Sequence, residues 1–252
     1  MSINHPNSET MFSTNTTIPD SEICHKTVQQ KKDGSLEIAV LIYDQMTVLD
    51  AVGPYEVLHR LPNATVKFVG ETKGLKIADS KMLSLAADYT LDEVPRPDVL
   101  LISGGNVQAP RESKKVLDWI RAAHETTKYT VSVCTGSLIL GAAGLLRGKK
   151  ATTHWAFKEM LTNVFGAEYV PERYVQTGKI ITAAGVSAGI DTALFLAEKL
   201  IDKQTAQMIQ LFVEYDPQPP FDSGSLKKAD KQTVEAAQRY LSELGERAEN
   251  VK

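Results

Sequence analysis

The sequence predicts an α/β fold with a mainly parallel β-sheet that is covered by helices on both faces. Short, almost continuously apolar runs, such as "LEIAVLIYD" at 36–44 and "PDVLLISGG" at 97–105, are typical of strands buried on both sides. Segments with helical spacing of apolar residues alternate with these runs, for example "SKKVLDWIRAAHE" at 113–125. This alternation of strand and helix favours a parallel sheet.

Each predicted element follows from its local pattern. Pro54 is expected near the first turn of its helix, Ser187 is a candidate cap of another helix, and a turn is expected at Thr177-Gly178. The Pro- and Gly-rich stretch at 216–225 is predicted to be irregular. In chain order we expect a strand at 36–44, a helix at 51–61, a strand at 65–70, a hairpin or irregular return at 75–91, a strand at 97–105, a helix at 113–125, a strand at 129–133, a buried helix at 136–146, two strands within 167–185, and helices at 187–201, 203–215 and 227–249.

Composition limits the class of protein. The net charge is -3 without a long basic run, which argues against nucleic acid as a partner. The sequence has no run of 18 apolar residues, so no membrane-spanning helix is predicted. Its two cysteines, Cys24 and Cys134, indicate a reduced, cytoplasmic setting rather than a disulfide framework. The predicted organisation is a flexible arm at 1–35, one α/β domain at 36–226, and a polar helix at 227–252 packed on or beside it.

Cys134 lies where a short apolar run, "YTVSV", meets the start of a buried helix. Functional groups gather at the carboxyl ends of parallel strands, and the tight turn with Gly136 resembles a nucleophile elbow. The N-terminus of the following helix is expected to lower the pKa of the thiol. The alternative is that Cys134 is a small buried apolar residue.

Partners for a nucleophile end neighbouring strands. Gly104 and Gly105 are candidates for free backbone amides that face the thiol as oxyanion donors, or simply form a tight turn. Asp50 is the candidate acid or base, because an apolar context raises the pKa of a carboxyl; its alternative is a helix cap. His154 is a second candidate, although a structural bond to the backbone is its commoner role. The residue after the cysteine is Thr135, so no adjacent base exists.

Four stretches of the chain can be compared with a known family: "LIYDQMTVLDAVGPYEVL", "SVCTGSLILGAAGLLRGKKATTHW", "AGVSAGIDTALFLAEKL" and "QLFVEYDPQPPFDSGS". Together they resemble the isocyanide hydratase branch of the PfpI/ThiJ superfamily. The resemblance covers about residues 36–226, and the tail with "VEYDPQPPFDSGS" is its most specific part.

The resemblance implies a flavodoxin-like three-layer sandwich that forms a homodimer and hydrates an isocyanide, R–N≡C, to an N-substituted formamide. It implies no metal and no organic cofactor. By motif position, Cys134 matches the nucleophile, Asp50 the acidic partner and Thr135 the neighbouring hydroxyl residue. Gly105 matches a backbone-amide position, although "GGNVQAP" departs from the family's more glycine-rich continuation and leaves this part of the pocket open.

Other functions remain as alternatives. Relatives with glyoxalase or deglycase activity also use a reactive cysteine and an acidic partner, and oxidation of Cys134 would serve a redox sensor. Amidase or peptidase activity is disfavoured because Thr135 stands where the amidotransferase and protease-like branches of the superfamily carry a histidine. Asp191 is expected to cap or anchor its helix rather than to serve as a triad partner. A regulator with a DNA-binding module would need about a hundred residues after the domain, and only a short segment follows Ser225.

Overall fold

The computed structural model describes residues 34–249 of the chain, and the side chains as far as residue 244. Cys24 and residues 1–33 of the arm predicted at 1–35 therefore lie outside the described range. The strands are β1 (Leu36–Leu41), β2 (Ala64–Gly70), β3 (Gly74–Ile77), β4 (Ser84–Ala87), β5 (Tyr89–Thr90), β6 (Val99–Ile102), β7 (Tyr129–Ser132), β8 (Lys150–Ala151), β9 (Glu168–Tyr169), β10 (Tyr174–Thr177) and β11 (Ile180–Ala183). The helices are α1 (Val48–Leu58), α2 (Gln108–Glu112), α3 (Lys114–Thr126), α4 (Gly136–Ala142), α5 (Lys158–Asn163), α6 (Ala188–Leu200), α7 (Lys203–Phe212) and α8 (Lys231–Glu249).

Seven strands form one sheet in the order β10-β11-β7-β6-β1-β2-β5. Every neighbouring pair is parallel except β10–β11, which is the predicted hairpin around Thr177-Gly178. The segment predicted as a hairpin or irregular return folds as the antiparallel pair β3–β4, in a small separate sheet. The mainly parallel α/β sheet is thus confirmed.

Helices cover both faces of this sheet, and successive residues of β6 enter opposite cores, as the period of two in a strand requires. Leu100 and Ile102 pack with side chains of α3 and α4, whereas Leu101 packs with side chains of α1 and α6. All four residues of β6 are buried. The resulting order of helices, sheet and helices is the predicted three-layer arrangement, and it brings the ends of β1, β6 and β7 together.

Two helix starts differ from the prediction. Helix α1 begins at Val48 and not at residue 51, so Pro54 is its seventh residue and lies in the second turn. Because proline has no N–H, the carbonyl of Asp50 lacks its usual helical donor. Ser187 stands at the cap position of α6 but makes no capping bond there; its hydroxyl accepts a hydrogen bond from Arg173 Nη2 at 3.1 Å.

The last helix begins at Lys231 and not at 227. Its packing on or beside the domain stays a prediction. Within residues 34–249 we find no helix with the length and apolarity needed to span a bilayer.

Candidate active site

Cys134 occupies a strained turn between β7 and α4. Its φ is +57°, a left-handed conformation that residues other than glycine rarely adopt. Its N–H donates to Ala184 O at 2.9 Å, and its carbonyl accepts from the hydroxyls of Ser137 and Thr153, both at 3.2 Å. A Cβ at Gly136 would lie 2.4 Å from Ile102 O, so only glycine fits under the turn. These contacts hold the predicted elbow.

Asp50 is the third residue of α1 and is fully buried. Its Oδ2 accepts a hydrogen bond from Gly104 N at 2.9 Å, while Oδ1 has no protein partner within the described structure. Burial raises the pKa of Asp50 from 3.8 to about 7; the Gly104 bond and an interaction with the Cys134 thiol oppose that rise, and the charge of Asp79 adds to it. The predicted raised carboxyl pKa is therefore confirmed.

The expectation of a lowered thiol pKa at Cys134 is wrong. Burial raises the pKa of the thiol well above its ordinary value, and the nearby Asp50 charge raises it further. Interactions with the N–H groups of Val186 and Thr135 and with the Thr135 hydroxyl oppose this effect without reversing it. Helix α4 has only seven residues, and Cys134 exposes 5% of its surface, so desolvation outweighs the helix N-terminus.

The expectation that the amides of Gly104 and Gly105 are free to face an oxyanion also fails in this structure. The Gly104 N–H is taken by Asp50, and the Gly105 N–H donates to Thr135 Oγ1 at 2.9 Å. Gly105 has a φ of +118°, and a Cβ there would lie 2.5 Å from Gln45 O. The pair therefore holds the acid and the hydroxyl residue in position.

Thr135 lies directly beside this glycine pair. Its hydroxyl donates to Gly105 O at 2.9 Å and accepts from the N–H of the same residue. A Cβ at Gly104 would lie 2.7 Å from both Thr135 Oγ1 and Asp50 Oδ2. Thr135 is thus fixed by Gly105 and not by a bond to the carboxyl, and the two side chains approach Gly104 from the same side.

Replacing Gly104 with alanine is expected to lower kcat/KM by roughly 10²-fold, because a displacement of about 1 Å at a reacting group has that effect. The added Cβ would push Asp50 and Thr135 apart, and overpacking should lower the free energy of unfolding by about 1–3 kcal/mol. Steady-state kinetics and thermal unfolding measure the two effects. Gly224→Ala is the matched control, since a Cβ there meets nothing within 4 Å; equal behaviour of both variants would contradict the prediction.

The two remaining candidates make other bonds. His154 Nδ1 accepts from Ala156 N at 3.4 Å, and burial lowers the pKa of its imidazole. Asp191 Oδ2 accepts from Arg173 Nε at 2.6 Å and from the Tyr215 hydroxyl at 3.2 Å, so it ties α6 to the segments on either side. Within the described part of the chain, no cluster of three or more His, Cys, Asp or Glu is placed to hold a metal ion.

Sequence reasoning missed two residues. Val186 presents its N–H to the Cys134 sulfur, and no side-chain pattern signals a backbone donor. Tyr43 lies two residues after β1, and its hydroxyl donates to Ser103 O at 2.9 Å. Its position at the carboxyl end of a central parallel strand was the signal that could have found it.

The chain is similar to proteins of one family. The model of the DJ-1/PfpI family matches residues 36–199. The chain is 43% identical over 206 residues to isonitrile hydratase of Pseudomonas putida, an alignment that covers 81% of this chain and 90% of that protein. It is 29% identical over 178 residues to Protein DJ-1 homolog B of Arabidopsis thaliana, covering 68% of this chain and 40% of the plant protein.

A solved structure has the same architecture. The crystal structure of a ThiJ/PfpI family protein from Pseudomonas syringae superposes with a TM-score of 0.80 at 37% sequence identity. The alignment covers 85% of this chain and 89% of that one. The similarity therefore extends well beyond the strands around the elbow.

Proposed function

The chain belongs to the DJ-1/PfpI family, and we propose that it adds water to an isocyanide to give an N-substituted formamide. One observation carries this proposal: a fully buried carboxyl, Asp50, interacts with the Cys134 thiol at a strained elbow. The 43% identity to isonitrile hydratase of Pseudomonas putida supports the reaction type. The enzyme acts on a small molecule, with Cys134, Asp50 and Thr135 as its site.

In the first step the Cys134 thiolate attacks the terminal carbon of R–N≡C while the Asp50 carboxyl donates its proton to that carbon. A C–S and a C–H bond form, and the product is the thioimidate R–N=CH–S–Cys with Asp50 left as a carboxylate. An isocyanide carbon is a poor electrophile unless a proton arrives with the nucleophile. A positioned acid beside the thiol answers that requirement.

In the second step the oxygen of a water molecule adds to the thioimidate carbon while the Asp50 carboxylate takes a proton from that water. Asp50 then passes the proton to the nitrogen. The adduct R–NH–CH(OH)–S–Cys then collapses: the C–S bond breaks and Asp50 takes the hydroxyl proton. Formamide, thiolate and protonated Asp50 result, so the starting state returns. Thr135, held at Gly105, orients the attacking water through its hydroxyl.

A proton shared by the two groups reconciles the raised pKa of Cys134 with a thiolate nucleophile. Because both groups are buried and adjacent, their second ionisation is strongly disfavoured. Above about pH 7 the pair therefore holds one proton and one negative charge. With the pKa of Asp50 at about 7 and that of Cys134 raised well above its ordinary value, the resting pair carries the charge on Asp50 and the proton on the sulfur. Attack on the isocyanide uses the form in which that proton has moved from the sulfur to Asp50, and the interactions of Val186 and Thr135 with the sulfur stabilise the thiolate of this form.

The pH profile of kcat/KM is expected to follow this first ionisation. Below about pH 7 the pair holds two protons and lacks a nucleophile, so the rate should rise about tenfold per pH unit and then level off near pH 7. Steady-state rates between pH 5 and 9 measure the profile. A rate that is flat across pH 7 would rule out the shared-proton pair as the active form.

The function itself is tested with purified protein and a simple alkyl or aryl isocyanide, with formamide followed by chromatography. Turnover above the rate of a heat-inactivated sample is expected. An α-oxoaldehyde such as methylglyoxal is assayed in parallel. Consumption of the aldehyde without formamide production would reject the hydratase in favour of the glyoxalase or deglycase function.

The proposal includes a homodimer in the cytoplasm. Hairpin β3–β4 carries exposed apolar side chains, among them Leu75 (68% exposed) and Met82 (92% exposed), which a second copy would bury. Cys134 must stay reduced to act as a nucleophile, which is the normal state of a thiol in the cytoplasm. Sedimentation equilibrium measures the oligomeric state; a monomer at micromolar concentration would refute the dimer.

A further inference from the structure

A line of hydrogen bonds runs from Tyr43 to Asp50 through one peptide group. The Tyr43 hydroxyl donates to Ser103 O at 2.9 Å. That carbonyl belongs to the same peptide unit as the Gly104 N–H, which donates to Asp50 Oδ2 at 2.9 Å. Besides its interaction with the Cys134 thiol, the carboxyl is held in the described structure by this bond from the Gly104 N–H, so the peptide is the backbone anchor of the acid.

The surroundings fix this peptide on several sides. The Ser103 hydroxyl donates to Leu41 O at 2.7 Å, which ties the end of β6 to β1. A Cβ at Gly136 would come within 2.9 Å of Ser103 O, so the start of α4 lies close to the carbonyl and leaves no room for a side chain there. Tyr43 meets the same oxygen with its hydroxyl. The peptide cannot rotate without breaking one of these contacts.

A donor on a carbonyl oxygen strengthens the N–H of the same peptide group as a donor, because hydrogen bonds in a chain polarise one another. A stronger N–H favours the ionised form of a carboxyl that accepts from it. Tyr43 itself stays neutral at working pH, because burial raises the pKa of its phenol well above 10, helped by the charges of Asp50 and Cys134. It therefore acts as a permanent donor.

We propose that Tyr43 is a positioning residue that sets the proton affinity of Asp50 through the Ser103–Gly104 peptide. The inference rests on the proposed hydration only for its activity readout. Three ionisable groups face Asp50 from the elements around it: Cys134 from the elbow, Asp79 from the hairpin, and Tyr43 from the end of β1. Among these three groups, only Tyr43 donates a hydrogen bond to the Ser103–Gly104 peptide that holds Asp50.

The first test compares the pH profiles of kcat/KM for wild type and Tyr43→Phe. Removing the hydroxyl weakens the Gly104 donor, so the inflection near pH 7 should move up by about half a pH unit. The plateau above pH 8.5 should be unchanged. Tyr89→Phe removes a hydroxyl from a ring packed against the same core and should leave the inflection in place. A lower plateau with an unmoved inflection would show a merely structural role and overturn the proposal.

A second substitution covers the case in which the phenylalanine variant folds poorly. Replacing Tyr43 with 3-fluorotyrosine keeps the ring and makes the hydroxyl a stronger donor. The inflection should then move down, opposite to Tyr43→Phe. An unmoved or raised inflection in the fluorinated protein would overturn the proposal.

A readout that needs no substrate separates this proposal from the hydratase function. Protein labelled with ¹³C at the aspartate carboxyl is titrated by NMR, with Asp50→Asn to assign the resonance. The Asp50 midpoint should be higher in Tyr43→Phe than in wild type. If no isocyanide is turned over but the midpoint moves, the function fails and the positioning role stands; a midpoint equal in both proteins overturns the positioning role whatever the activity.

Discussion

Cys134→Ala is expected to abolish formamide production, with a loss of at least about 10⁴-fold in kcat. The substitution removes the atom that bonds to the isocyanide carbon, and neither Asp50 nor Thr135 supplies another nucleophile at that place. The expected background is the rate without protein. Steady-state assay under the same conditions as wild type measures the loss, and the absence of a protein mass increase with substrate confirms that no thioimidate forms.

Cys24→Ser is the matched control, because it removes the chain's other thiol and should leave the rate unchanged. Circular dichroism of Cys134→Ala checks the fold, since alanine at a φ of +57° retains the strain of the elbow. A folded Cys134→Ala protein with wild-type turnover would eliminate covalent catalysis.

Asp50→Asn is expected to lower kcat by about 10²–10⁴-fold, the usual contribution of a positioned acid or base. Asparagine has a similar shape and still offers an oxygen to the Gly104 N–H, but it can neither donate a carboxyl proton nor take one from water. Both steps depend on that proton, so the fall in kcat should persist at every pH. Restored activity at any pH between 5 and 9 would show that Asp50 does not carry the proton.

The same variant should be more stable than wild type at pH 8. The pKa of Asp50 is raised from 3.8 to about 7, so the folded state binds this proton more tightly than the unfolded chain. Wild type therefore loses stability as pH rises from about 4 to 7, by up to ~4 kcal/mol if the whole shift is realised. Asparagine has no such loss. Chemical unfolding of both proteins at pH 5 and at pH 8 measures the free energy of unfolding of the variant relative to wild type. This difference should favour the variant more at pH 8 than at pH 5, and the opposite order would refute the account of burial.

Much of the fold could be predicted because its signals are local or periodic. The buried runs around β1 and β6 and the apolar spacing of α3 identify their elements without tertiary information. The placement of Cys134 and Asp50 near one another followed from a general rule, that the ends of parallel strands share one edge. Helix starts were less accurate, as Pro54 shows: α1 begins at Val48, directly after backbone bonds from Gln45 N to Ile77 O and from Thr47 N to Gly104 O that join distant parts of the chain.

The electrostatics of the site could not be predicted from sequence. Whether Cys134 is acidic depends on the balance of desolvation against donors, and that balance requires coordinates. The same holds for Gly104 and Gly105, whose amides are occupied by side chains that lie 54 and 30 positions away along the chain. The position of Tyr43 after β1 is visible in the sequence, but its bond to Ser103 O is not, because a backbone carbonyl carries no side-chain pattern.

The depth of the thiol has a consequence for the cell. Cys134 exposes 5% of its surface at the bottom of a tight turn. Disulfide exchange needs the attacking thiolate and both sulfurs of the disulfide to meet at one site, and a tripeptide disulfide such as oxidised glutathione is too bulky to bring its sulfurs there. An isocyanide, which reacts through one terminal carbon, and a peroxide both need much less room than a tripeptide disulfide to approach the sulfur. We therefore expect the enzyme to keep working through an episode of glutathione oxidation and to be inactivated only by small oxidants.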